Sequence, residues 1–146
     1  MIKVGSKMHA YFWFYEDDQA KSQVHSAVGR ICRSDMGGPR PYQNVWTSFV
    51  KSRLKCSNFD KIISTASPVS GRYFGLKESN TVVYAIFKAV LANLSISAIC
   101  AFDLTRMTEV FQTSSFYRTK TTSLWNEDTV SKYRAGNLLH HFSQFF

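Results

Sequence analysis

Long basic runs are missing. No run of Lys or Arg reaches five residues, although the 146-residue chain carries 18 basic against 10 acidic residues and a formal net charge of +8. A flexible arm that neutralises nucleic-acid phosphates needs such a cluster, so nucleic acid is not the expected partner. Proline (3) and glycine (7) are scarce, which excludes a long disordered or collagen-like chain. Charged residues make up 19% and hydrophobic residues 45%. That is the balance of one ordinary domain, large enough to bury a core without leaning on metals or cross-links.

Catalytic signatures are missing too. The sequence holds no G-x-S-x-G, no phosphate-binding P-loop and no H-E-x-x-H. Asp17-Asp18 and Glu127-Asp128 are adjacent pairs. Neighbouring side chains on an extended chain point apart, so neither pair is placed as an acid–base couple. His140-His141 has no companion ligand nearby, and there is no C-x-x-C. No enzyme, no cofactor and no metal are expected. Cys32, Cys56 and Cys100 are an odd number. Inside a cell they read as three buried apolar thiols; outside, as one bonded pair and an orphan.

Targeting segments are equally sparse. The first 18 residues lack the apolar core of a secretory signal, so none is expected. Residues 82–102 are long enough to cross a bilayer but contain Lys88, Asn93, Ser95 and Ser97. A lysine inside a span costs roughly 2.5–3.5 kcal/mol, so no membrane span is expected. Asn93-Leu94-Ser95 is a glycosylation sequon, which matters only in the secretory pathway.

What is present is mostly strand. AYFWFY (10–15) reads as a buried strand ending in the acidic turn at Glu16, Asp17 and Asp18. VHSAVGRICR (24–33) has strand composition, with Val28, Arg30 and Cys32 on one side and Ala27, Gly29 and Ile31 on the other. SDMGGPRPY (34–42) reads as a loop, because glycine frees φ and proline blocks a ladder. WTSFVKSRLKC (46–56) has a period of two, placing Trp46, Val50, Leu54 and Cys56 on one face. Lys51, Arg53 and Lys55 fall on the other as a positive row. Such a row is a solvated face that resists edge pairing, or a contact row for an acidic partner. Residues 57–81 read as a long loop with one short strand near 72–76, and 82–87 and 97–102 as a hairpin through Asn93. Asp103 can cap a helix whose Leu104, Met107, Val110 and Phe111 share one face. Residues 112–132 are Ser/Thr-rich and loop-like, and the tail ends in LLHHFSQFF. Short strands, long loops and one helix suit an all-β sandwich, barrel or propeller.

ICRSDMGG followed by WTSFVKSRLKCS resembles the core of the semaphorin sema domain. YFWFYED before it, and VVYAIF, SAICAFDL and VFQTSSF after it, resemble further segments of that family in order. The resemblance implies a partial seven-bladed β-propeller of about two to three blades over residues 1–134, and an unrelated tail over 135–146. It implies an extracellular ligand that binds plexin receptors on host cells and alters cytoskeleton, adhesion and migration, with immune modulation if the chain is viral. It implies a Cys56–Cys100 disulfide, an unpaired Cys32, and Arg40, Lys51, Arg53 and Lys55 as contact candidates. An open arc of blades would expose two apolar faces, so self-association is expected. Without a signal, the chain as written would stay in the cytoplasm. The alternative is a truncated remnant without receptor affinity.

Overall fold

The computed structural model describes residues 1–4, 6–18, 23–39, 43, 45–73 and 79–113, and the backbone of strands at 116–119, 125–128 and 136–143. In chain order, β1 (Ile2–Val4), β2 (Lys7–Asp18), β3 (Gln23–Cys32) and β4 (Val50–Lys55) come first. Then follow β5 (Lys61–Thr65), β6 (Val69–Gly71), β7 (Asn80–Leu91), β8 (Leu94–Asp103) and helix α1 (Leu104–Thr113). β9 (Phe116–Thr119), β10 (Trp125–Asp128) and β11 (Gly136–Ser143) complete the described elements.

β1 to β4 form an antiparallel meander, each strand hydrogen-bonded to the next. β11 runs parallel beside β4, and β9 and β10 extend that sheet to seven strands. In the second sheet β7 is central, with β8 on one edge and β5 and β6 in succession along the other.

Directly opposed residues of an antiparallel pair share a face. The register pairs Tyr11 with Arg30 and Trp13 with Val28, and Val28 in turn with Ser52. Those residues turn toward the second sheet, where Val28, Val50, Leu54, Val83, Phe87, Phe102 and Met107 make the buried cluster. The Trp13 ring lies 5.7 Å from that of Phe102. Burying Phe87 alone contributes about 2–3 kcal/mol. Ser26 is buried between the sheets and fully used: its Oγ donates to the Asp60 carbonyl at 2.7 Å and accepts from the Ile62 N–H at 2.7 Å. Cys56, just beyond β4, is bonded to Cys100 in β8, with the Cα atoms 6.1 Å apart. One covalent link therefore ties the two sheets through the core.

The β7–β8 hairpin turns at Ala92 (φ 47°) and Asn93 (φ 66°). Two successive positive φ angles make the mirror-image turn whose twist matches paired strands, and Asn tolerates it well. Residues 82–102 are thus two strands and not a helix; among the described residues no helix is long and apolar enough to cross a membrane. Asp103 caps α1, its Oδ1 accepting from the Thr105 N–H at 2.7 Å. Leu104, Met107 and Phe111 then fall on the buried stripe, with Val110 half-buried beside them.

Four expectations change. Glu16, Asp17 and Asp18 are not a turn: β2 runs through them, opposite His25, Val24 and Gln23. The strand anticipated from Trp46 begins at Val50, because residues 47 and 48 are recruited elsewhere, as described below. The stretch 57–81 holds two strands, β5 and β6, rather than one near residue 72; Arg72 and Tyr73 lie outside any strand, and 74–76 are outside the described residues. The polar stretch 112–132 contains the last two residues of α1 and the backbone strands β9 and β10.

Candidate interaction surface

The positive row on β4 was the sequence's clearest candidate for a contact surface. The register puts Lys51 opposite Gly29 and Arg53 opposite Ala27, on the face of the first sheet turned away from the core. Phe12, Phe14 and Glu16 of β2 share that face, since they pair with Gly29, Ala27 and His25. The row is not uniformly solvated: Lys51 and Arg53 are half-buried and Lys55 alone is exposed. Lys51 Nζ donates to Glu16 Oε1, and His25 Nε2 meets Glu16 Oε2 at 3.2 Å. Glu16 thus neutralises part of the row. A partly exposed pair of this kind is worth up to about 1 kcal/mol. Arg40 is outside the described residues.

The loop between β3 and β4 folds back over the same face. Its anchor is Asp35. The carboxylate accepts from the Ser48 hydroxyl at 2.6 Å, the Ser48 N–H at 2.7 Å, the Gly37 N–H at 2.9 Å and the Thr47 hydroxyl at 3.1 Å. The Ser48 oxygen in turn accepts from the Cys32 N–H at 3.0 Å. Burial works against the ionised carboxylate, but these bonds outweigh it and hold Asp35 down at about 2. Gly37, at φ 83°, makes the bend that only glycine adopts freely.

Clamped in this way, the loop lays Trp46 and Phe49 on the sheet. Trp46 stacks on Phe12 with centroids 5.9 Å apart, and its ring lies 6.4 Å from that of Phe49. Trp46 therefore sits on the face opposite Val50 and Leu54, contrary to the simple alternation, and stays 53% exposed. Gly29 makes room for this: a Cβ there would stand 2.8 Å from the Phe49 ring. Gly29→Ala is expected to push Phe49 and Trp46 outward, costing about 1 kcal/mol and raising the exposure of Trp46. Tryptophan fluorescence of the variant, red-shifted with increased acrylamide quenching, checks this.

Cys32, the last residue of β3, is a free thiol, and its Sγ lies 3.2 Å from the Ser34 hydroxyl. That hydrogen bond is the main reason its pKa lies below the usual thiol value. Asn93 is exposed at the tip of the β7–β8 hairpin. The second sheet's outward face carries Tyr84, Ile86 and Ile99, each exposed. Among the described residues no group of His, Cys, Asp and Glu is arranged to hold a metal. Asp35, Glu16 and the Trp46 flap went unread in the sequence. The usable signals were Asp two residues before Gly, a side-chain turn, and Gly29 within a strand, a mark of close approach.

The family model described as Sema domain matches residues 65–143, just over half of the chain, including α1 and β11. The chain belongs to the Sema domain family. Its relatives are semaphorins. Semaphorin-1A of Tribolium confusum is 33% identical over 126 residues, covering 78% of this chain and 18% of its own length. Semaphorin-6B of Homo sapiens is 33% identical over 145 residues, covering 88% of this chain and 15% of its own. Among solved structures, the extracellular domains 1-2 of Drosophila Semaphorin 1b superpose with a TM-score of 0.68 at 27% identity, over 83% of this chain and 25% of that one. A chain from Drosophila Plexin A in complex with Semaphorin 1b gives 0.66 at 26% identity, over 83% of this chain and 25% of that one. The two packed sheets are thus part of a Sema-type β-propeller, and this chain spans only a fraction of the relatives' length.

Proposed function

We propose that this chain is the plexin-facing part of a semaphorin, an extracellular ligand that alters the adhesion and migration of receptor-bearing cells. The observation that carries the reading is the likeness to the solved semaphorin–plexin complex, together with the Sema domain match. No step of the reading needs catalysis: the chain would act by docking.

The proposed contacts are Arg40, Lys51, Arg53 and Lys55, and their roles differ. Lys55 is the exposed member of the row, Arg53 is half-buried beside it, and Lys51 is engaged by Glu16. Charges at the rim of an interface act mainly on encounter, so they change association more than dissociation. Titrating immobilised plexin ectodomain with disulfide-intact chain is the test. Saturable binding is expected, and Lys55→Glu with Arg53→Glu should slow association by roughly tenfold at low salt, with less effect at high salt. A flat titration by protein that shows a cooperative unfolding transition overturns the proposal and leaves a chain without receptor affinity.

A further inference from the structure

We propose that Asn93 is an N-linked glycan acceptor and that the glycan shields the apolar tip of the β7–β8 hairpin. The proposal rests on the extracellular reading above. Asn93-Leu94-Ser95 is the single N-x-S/T triplet in the sequence, and the fold puts it at a turn. Asn93, Leu94 and Ser95 are all exposed. The positive φ angles at Ala92 and Asn93 place the acceptor at the apex of a two-residue turn, beyond the last ladder pair Leu91–Leu94. A transferase can reach an amide at such an apex without opening the sheet.

The surroundings suggest what the sugar does. Val90 is 71% exposed and Leu94 is 65% exposed, one on each side of the turn. Val90 faces Ser95 across the ladder and continues the column of Lys88 and Ile86 on the outward face. Leu94 pairs with Leu91 and so lies on the other face, which leaves one aliphatic side chain standing in water on each face of the tip. A bulky polar group on Asn93, at the apex between the two faces, would keep both side chains from other copies.

The chemistry is a group transfer. Asn93 Nδ2 bonds to the anomeric carbon of a lipid-diphosphate-linked oligosaccharide. The carbon–oxygen bond to the diphosphate breaks, the lipid diphosphate leaves with that electron pair, and one Nδ2 proton goes to a base of the transferase. Asn93 is left as a substituted amide with no change in charge.

The chain, placed behind a heterologous secretion signal and expressed in eukaryotic cells, tests this in both the secreted and the cell-retained fractions. Expected is a product one glycan heavier, which collapses to the bare mass with peptide N-glycosidase F. Ser95→Ala, which leaves the turn residue in place, and Asn93→Gly, which keeps the positive φ, should both migrate at the bare mass. Glycosidase-treated protein should show at least a twofold larger oligomeric fraction on size exclusion. A wild-type chain that enters the secretory pathway unshifted, or a shift that survives Ser95→Ala, overturns the site. An unchanged oligomer distribution after deglycosylation overturns the shielding role. Plexin titration of the same material is scored separately: glycosylated protein that fails to bind removes the receptor reading and leaves the site standing.

Discussion

Replacing Cys56 and Cys100 together by alanine is expected to lower the free energy of unfolding by about 4 kcal/mol. The bond closes a separation of 44 residues, and the chain-entropy relation for a loop of that size gives this figure at 25 °C. Both sulfurs are buried, with Cys56 fully inaccessible, so reduction leaves two thiols in a packed core and gains no new solvation. The link also joins the end of β4 to the middle of β8, and so it constrains the docking of two sheets rather than a local turn. Urea denaturation of the oxidised chain against the double variant checks it: the midpoint should fall by roughly 2 M, taking a slope near 2 kcal/mol per molar. Equal midpoints would show that the sheets hold together without the bond.

Asp35→Ala is expected to cost about 2–3 kcal/mol, the worth of a charged acceptor whose donors are left unmatched. The Ser48 and Gly37 N–H groups lose their shared partner, and the flap carrying Trp46 and Phe49 loses its anchor. Asp35→Asn keeps one acceptor oxygen and should cost about half as much. The pH dependence separates this clamp from ordinary packing. The folded carboxyl titrates at about 2, below its ordinary 3.8. Its contribution is therefore complete above about pH 4 and is lost as the pH falls through about 2. Wild-type stability should drop across that window by an amount that Asp35→Ala does not show. The difference between the two pH profiles, followed by thermal unfolding, is the measurement; parallel profiles would remove Asp35 as the anchor.

Periodicity reveals contacts that repeat along one strand, and it did so here. The aromatic run of β2, the mixed faces of β3, the β7–β8 hairpin and the stripe Leu104, Met107, Phe111 were all legible, because burial recurs at the period of the element. What it cannot show is a partner far along the chain. WTSF continues the alternation of VKSRLK, yet Thr47 and Ser48 bond to Asp35, 12 and 13 residues earlier, and leave the strand. Lys51 looks like one member of a solvated row until Glu16, 35 residues earlier, lies beside it. β5 and β6 are short and polar, and they become strands only because β7 offers an edge. The Cys56–Cys100 link was open on spacing alone. It followed only from the likeness of WTSFVKSRLKCS to the sema core, since residue types do not fix connectivity.

The meander has a kinetic consequence. β2 with β3, and β7 with β8, are neighbours in sequence as well as in the sheet, so each pair can zip in about 1–10 μs. Docking one pair on the other requires closing the longer segment between them, which is slower and comes later. Oxidation of Cys56 and Cys100 can then act only as a latch on an assembled core, and a chain held reduced should reach the same topology and lose it sooner.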